Sequence, residues 1–191
     1  MAHHLKLLGV LFLLIVSAFY YTSYQIRVKE QQSVEVATNE LLLECPRSKQ
    51  KYDEITQILG VKLTISDIEF SDKSLLGSTS FYQDVYGRWT IQIFIDAKKI
   101  QTHGDMLEPV LAHEIYHAWD ALIVSPSIGN FVKAREQQKN LPYLEQPAEI
   151  AAIKEEDFVR EFLIQHYSDE YKDMPRTHHE ADIKAKAMGI F

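Results

Sequence analysis

The hydrophobic pattern along the chain changes period several times, and each change marks an element. It begins with twenty residues that carry no charge, Leu7 to Ile26, of which Leu7 to Tyr21 are almost wholly apolar. Lys6 precedes the run, and Arg27 and Lys29 follow it. Two readings fit residues 1–26. One is a single-pass membrane anchor with Tyr20, Tyr21 and Tyr24 in the interfacial belt. The other is a signal peptide cleaved near Val16-Ser17-Ala18. Both place the remaining chain outside the cytoplasm, and basic residues on both flanks leave the orientation weakly specified. Residues 27–38 are polar and read as a stalk, either extended or helical.

From Asn39 to Gly60 the pattern is helical, with an interruption near Pro46. Tyr52, Ile55, Ile58 and Leu59 fall at helical spacing, with Ser48 a candidate N-cap and Gly60 a candidate C′ residue. Strict alternation then takes over. Val61 to Ile65 and Ser78 to Gln83 read as strands, and Trp89 to Asp96 is the clearest, with Trp89, Ile91, Ile93 and Ile95 on one face. Asp84 to Arg88 is the turn before it, and the expected sheet is small and mostly antiparallel.

The helical period returns at Asp105 to Ile123. Asp105 and Glu108 form a capping-box-like start with Pro109 in the first turn. Leu111, Ile115, Ala118 and Leu122 form its core stripe. Residues 125–140 read as a long connection, and a second long helix runs from Pro147, at N1, to about Tyr171. The tail is polar. These elements predict an α+β domain over residues 39–191, with the sheet packed on the first long helix.

Composition narrows the function classes. The 191 residues are 46% hydrophobic and 25% charged with a net charge of −7, an ordinary globular balance whose negative field disfavours nucleic acid as a partner. The single cysteine, Cys45, excludes an internal disulfide and a Cys-based zinc cluster. It reads as a buried thiol or, alternatively, an inhibitory thiolate ligand.

The candidate chemistry lies in His113-Glu114-Ile115-Tyr116-His117, an H-E-x-x-H pattern inside the first long helix. Residues four apart stand one above the other, so both imidazoles reach one ion, and neutral imidazole is a preferred Zn²⁺ ligand. Glu114 flanks the pair, placed to take a proton from a metal-bound water. Asp120, one turn after His117, reads either as a hydrogen-bond acceptor for a ligand imidazole or as a surface residue.

Val110 to Asp120 resembles the active-site helix of the zincin metallopeptidases, and Trp89–Asp96 resembles the strand bordering their cleft. The resemblance spans about residues 61–171 and is specific at the motif. It implies a zincin-like fold, a zinc cofactor, and a protein or peptide substrate lying extended along the sheet edge. It also implies a third ligand. The metzincin continuation is missing because position 123 is Ile. What remains is a glutamate from a later helix, as in the gluzincin type. Glu149 is the candidate, among small neighbours Ala148, Ala151 and Ala152. Glu145 and Glu156 are its rivals. Tyr143, Tyr167, Arg160 and His178 all remain open as the group that stabilises the transition state. His3, His4, His103, His166 and His179 are not expected to bind the ion. The competing reading is a membrane-tethered zincin-fold protein that binds partners without catalysis.

Overall fold

The computed structural model of the chain describes residues 15–17, 33–58, 60–72, 75–102, 106–167, 171, 173–175, 177, 179–180, 183 and 187. The apolar run at 7–26 therefore lies outside the described residues except for 15–17, which are helical. Among the described residues no helix is long and apolar enough to cross a membrane.

The architecture is α+β: helices gathered around one small three-stranded sheet. The first helix, α1, covers residues 33–44 and buries Val34, Ala37 and Leu41, spaced three and four apart, with Cys45 following. Residues 33–38, expected as stalk, thus belong to α1 and contribute to the core. Helix α2 (Pro46–Thr56) starts on Pro46 with Cys45 as its N-cap residue, and no side chain caps it. Ser48 is not the cap. It is buried inside the first turn, its hydroxyl directed at Cys45 Sγ, because proline at N1 already fixes the helix start. The helix ends at Gln57, earlier than expected, and Gly60 supplies a left-handed turn (φ +80°) leading into the sheet.

Strands β1 (Lys62–Asp67), β2 (Gly77–Gln83) and β3 (Trp89–Ile95) pair in the order β1-β3-β2. The sheet is mixed, not mostly antiparallel. β2 and β3 form an antiparallel hairpin, whereas β1 runs parallel to β3. The cause is the connection: residues 68–76 cross the end of β3, so β3 inserts between its two predecessors. Ile68 N donates to Ile95 O (2.8 Å) and Asp96 N to Leu76 O (2.9 Å) as the chain crosses. Lys99 holds the crossing segment, its ammonium donating to the carbonyls of Phe70, Asp72 and Leu75 at 3.2, 2.7 and 3.1 Å. Alternation on β3 works as read, with Ile91, Ile93 and Ile95 fully buried. The hairpin turn is an Asx arrangement. Asp84 Oδ1 accepts from Tyr86 N and Arg88 N, and Gly87 takes φ +78°.

Helix α3 (Ala97–Thr102) leads to α4 (Leu107–Trp119), which packs on β2, β3, α2 and the later helix Pro147–His166. Leu111, Ile115 and Ala118 are fully buried, and each of the two larger side chains contributes about 1.5–3 kcal/mol by leaving water. The α4 N-cap is Met106, with no side-chain cap, and Asp105 lies outside the described residues. The expected helix end at Ile123 is also changed: the last turn widens into a π-helix, Asp120–Val124, closed by Ser125 N donating to Asp120 O.

Residues 125–140 are not a plain connection. Ser127 Oγ accepts from Asn130 N and starts α5 (Ile128–Gln138), where Ile128, Phe131 and Arg135 repeat at i, i+3 and i+7. A 3₁₀ turn (Tyr143–Glu145) precedes α6 (Pro147–His166), which starts with proline at N1 as expected but ends before Tyr171.

Candidate metal centre

Helices α4 and α6 pack against each other, and that approach brings three donor atoms together. His113 Nε2 and His117 Nε2 are 3.1 Å apart, and Glu149 Oε2 lies 3.2 Å from each. All three side chains are buried. A tetrahedral ion with bonds of about 2.0–2.1 Å holds its ligand atoms roughly 3.3–3.4 Å apart, so this triangle has the dimensions of one face of a zinc site. Two imidazoles and one carboxylate are also the donor set of an open catalytic zinc site. The residues present fit the ion.

The rivals for the third position separate cleanly. Glu145 sits exposed in the 3₁₀ turn. Glu156 is buried but stands behind the site, where its Oε2 accepts from His113 Nδ1 at 3.0 Å. Its other oxygen accepts from Arg160 at 2.6 Å, and Arg160 is fully buried. This chain fixes the His113 ring so that Nε2 faces Glu149. Asp120 is half-buried in the π turn and makes no hydrogen bond to either imidazole among the described residues. Glu156 has the part considered for it.

Glu114 projects toward β2. Thr79 Oγ1 donates to Glu114 Oε2 at 2.7 Å and lies 3.0 Å from the Glu114 carbonyl oxygen. Gly77 supplies the remaining space, since a Cβ there would lie 2.7 Å from Glu114 Oε1 and 2.9 Å from its Cγ. Neither Gly77 nor Thr79 was visible as a site residue in the sequence, because only the strand register brings them against α4.

Arg135 was missed altogether, having been read as part of a loop. Phe131 packs edge-on against Phe81 of β2, with ring centroids 5.3 Å apart, and this docks α5 against the sheet. One turn later, the Arg135 guanidinium reaches Glu149 Oε1 at 2.6 Å and His117 Nδ1 at 3.3 Å. The signal that finds it is the spacing Ile128-Phe131-Arg135 behind a serine cap. Of the groups considered for the transition state, Tyr143 alone meets the triad, its hydroxyl 3.4 Å from His113 Nε2 while its ring stays exposed. Arg160 is committed to Glu156, Tyr167 packs against the hydrophobic core, and His178 lies outside the described residues, as does His103. His166 is exposed and stacks on Phe162, and His179 is exposed. Cys45 is buried under α1 and α2 as a free thiol.

The charges explain the titration of the site. Burial disfavours an imidazolium at His113, but the Glu149 and Glu156 carboxylates on its two nitrogens prevail and push it up to about 10. Burial, together with the charges on His113 and Arg135, pulls His117 down to about 4 despite Glu149. Glu149 resists its own burial: the two histidines and Arg135 hold its carboxyl well below the usual range. Burial raises Glu114, against the opposing pull of His113 and the Thr79 hydroxyl. A buried carboxyl with raised proton affinity beside a cation site suits a group that accepts and returns a proton. Burial raises the Tyr143 hydroxyl too, with Glu149 adding to it, so the phenol stays a neutral donor.

No family model matches this chain, and neither does any curated protein or solved structure.

Proposed function

We propose that the protein is a zinc-dependent metallopeptidase of gluzincin type. The observation that supports it most is the triangle of His113 Nε2, His117 Nε2 and Glu149 Oε2, with sides of 3.1–3.2 Å, flanked by a buried Glu114. His113, His117 and Glu149 would hold the ion, which when bound would lower the pKa of a water toward neutrality and polarise the scissile carbonyl. Glu114 accepts a proton on its carboxylate from the attacking water and returns it to the leaving amine. The Thr79 hydroxyl and the space at Gly77 keep the Glu114 carboxylate against β2. Glu156 and Arg160 fix the His113 ring. Tyr143 supplies a neutral hydroxyl beside the triad. A peptide substrate lies extended along the sheet, pairing its backbone with an exposed edge strand. In the whole chain the uncharged run at residues 7–26 attaches this domain to a membrane on its extracytoplasmic side.

The test is Glu114→Gln in the full chain, with zinc content and cleavage of a mixed peptide library both measured. The expected result is retained zinc with turnover lowered by at least about 10²-fold, in the range of a lost general base. Undiminished cleavage would remove Glu114 from the mechanism. Retained zinc with no cleavage by the wild type would favour the non-catalytic binding protein.

A further inference from the structure

Among the described residues, Arg135 is the one charged side chain at the triad to which hydrolysis by Glu114 and zinc assigns no task. Its guanidinium lies 2.6 Å from Glu149 Oε1, while Glu149 Oε2 faces the two histidines. The two oxygens of one carboxylate are thus divided between a fixed cation and the metal position. We infer that Arg135 is a positioning residue that withholds Oε1 of Glu149, so that the carboxylate gives the metal one oxygen and a coordination position stays open. The inference rests on the zinc reading above and deepens it.

Three observations carry it. Glu149 is only 3% exposed, so its Oε1 is shielded from water and is held by a charge-assisted contact to Arg135. Arg135 also comes from a separate element. Ile128 and Phe131 anchor α5, and Phe131 is seated on Phe81 of β2. The guanidinium therefore does not follow α6 if Glu149 rotates. Finally, the guanidinium also reaches His117 Nδ1 and Nε2, at 3.3 and 3.4 Å, and so spans two members of the triad at once. Released from Arg135, Oε1 can turn toward the ion beside Oε2, with the Tyr143 hydroxyl as the remaining side-chain partner of Glu149 besides the two histidines. Three protein ligands then fill four positions, and water or substrate can join only as a fifth ligand.

Cobalt(II), bound by the full-length chain in place of zinc, reads coordination number directly from its visible spectrum. Wild type is expected to bind one cobalt with the intense bands of four-coordinate ions. Arg135→Ala is expected to bind cobalt still, with the weaker bands of a five-coordinate ion and an affinity unchanged or higher. Arg135→Lys, which offers a cation in place of the guanidinium fork, is expected to recover most of the four-coordinate signal. A wild-type spectrum in Arg135→Ala would overturn the inference, and so would loss of cobalt from that variant, which would make Arg135 a mere support for Glu149. Failure of the wild type to bind cobalt at all would instead defeat the zinc reading on which the inference rests.

Discussion

Helix α6 carries two buried acidic clusters on neighbouring faces, and they are built differently. On one face Glu155, 1% exposed, is held by Lys51 and Arg47 of α2, each at 2.9 Å. The Lys51 ammonium also lies over the rings of Trp119 and Tyr116, at 5.5 and 6.0 Å. Every charge there ends on an opposite charge from the chain itself, and the cluster ties α2 to α6. On the other face Glu149 meets two imidazoles whose nitrogens converge on one point, with one guanidinium at the rim. The first arrangement is complete as a salt bridge. The second gathers metal-binding atoms at the separations a metal requires. Burial and charge are common to both, so neither marks a functional site alone. Convergence of donors is what sets the second apart and supports the proposal of a metal site there.

The contrast is sharpened by breaking each cluster. Glu155→Ala leaves Lys51 buried without its partner and should cost about 3–5 kcal/mol of stability, read by denaturant unfolding, with metal binding untouched. Replacing Lys51 and Glu155 together by methionine should recover most of that loss, because no buried charge is left behind. If the single variant were as stable as wild type, the salt-bridge face would not be the staple described. Behind the other cluster, Glu156→Ala should weaken zinc by about 10–100-fold, since it removes the orientation of His113, and should cost stability as well because it takes the carboxylate away from the fully buried Arg160. A chelator competition assay measures this, and an unchanged affinity would separate Glu156 from the site.

The mildest perturbation is a change of pH, which alters no residue. With its two carboxylates, His113 keeps its proton up to about pH 10, so an incoming metal must displace it. His117, pulled down to about 4, is neutral through the same range and adds nothing. Apparent zinc affinity should therefore rise with pH, by up to about tenfold per unit between pH 7 and 9, and level off above about 10. Titration calorimetry in buffers of different ionisation enthalpy should count close to one proton released per zinc at pH 8. A pH-independent affinity would mean that His113 binds as an already neutral ring.

How much of this was legible in the sequence follows from how local each signal is. The His113–His117 pair is a property of helical spacing and needs no partner to be seen. Glu149 was legible because Pro147 marks a helix start and alanines flank the glutamate, allowing close approach to α4. The strand positions came from alternation, but the parallel pairing of β1 with β3 depends on where residues 68–76 travel, which periodicity does not encode. Gly77 and Thr79 meet Glu114 because the β2–β3 hairpin packs on α4, which periodicity does not encode either. Arg135 was hidden for a different reason. Pro126, Gly129 and a run of charged residues resemble a loop, whereas the Ser127 cap and the Ile128-Phe131 pair, which make it a helix, are a short signal. The stalk reading of 33–38 failed to register Val34 and Ala37 because two apolar residues three apart are a weak stripe until Leu41 completes it.

The most direct measurement of the central claim is zinc stoichiometry on the purified full-length chain, wild type beside Glu149→Ala, after equilibration with limiting free zinc. The expected result is one zinc per wild-type chain and loss of that zinc in the variant. Three ligands sharing a binding energy of about 10–16 kcal/mol supply roughly 4 kcal/mol each, on the order of 10³-fold in affinity. A wild-type chain that binds no zinc, or a variant that keeps it with full affinity, would contradict the assignment of His113, His117 and Glu149 as one metal centre.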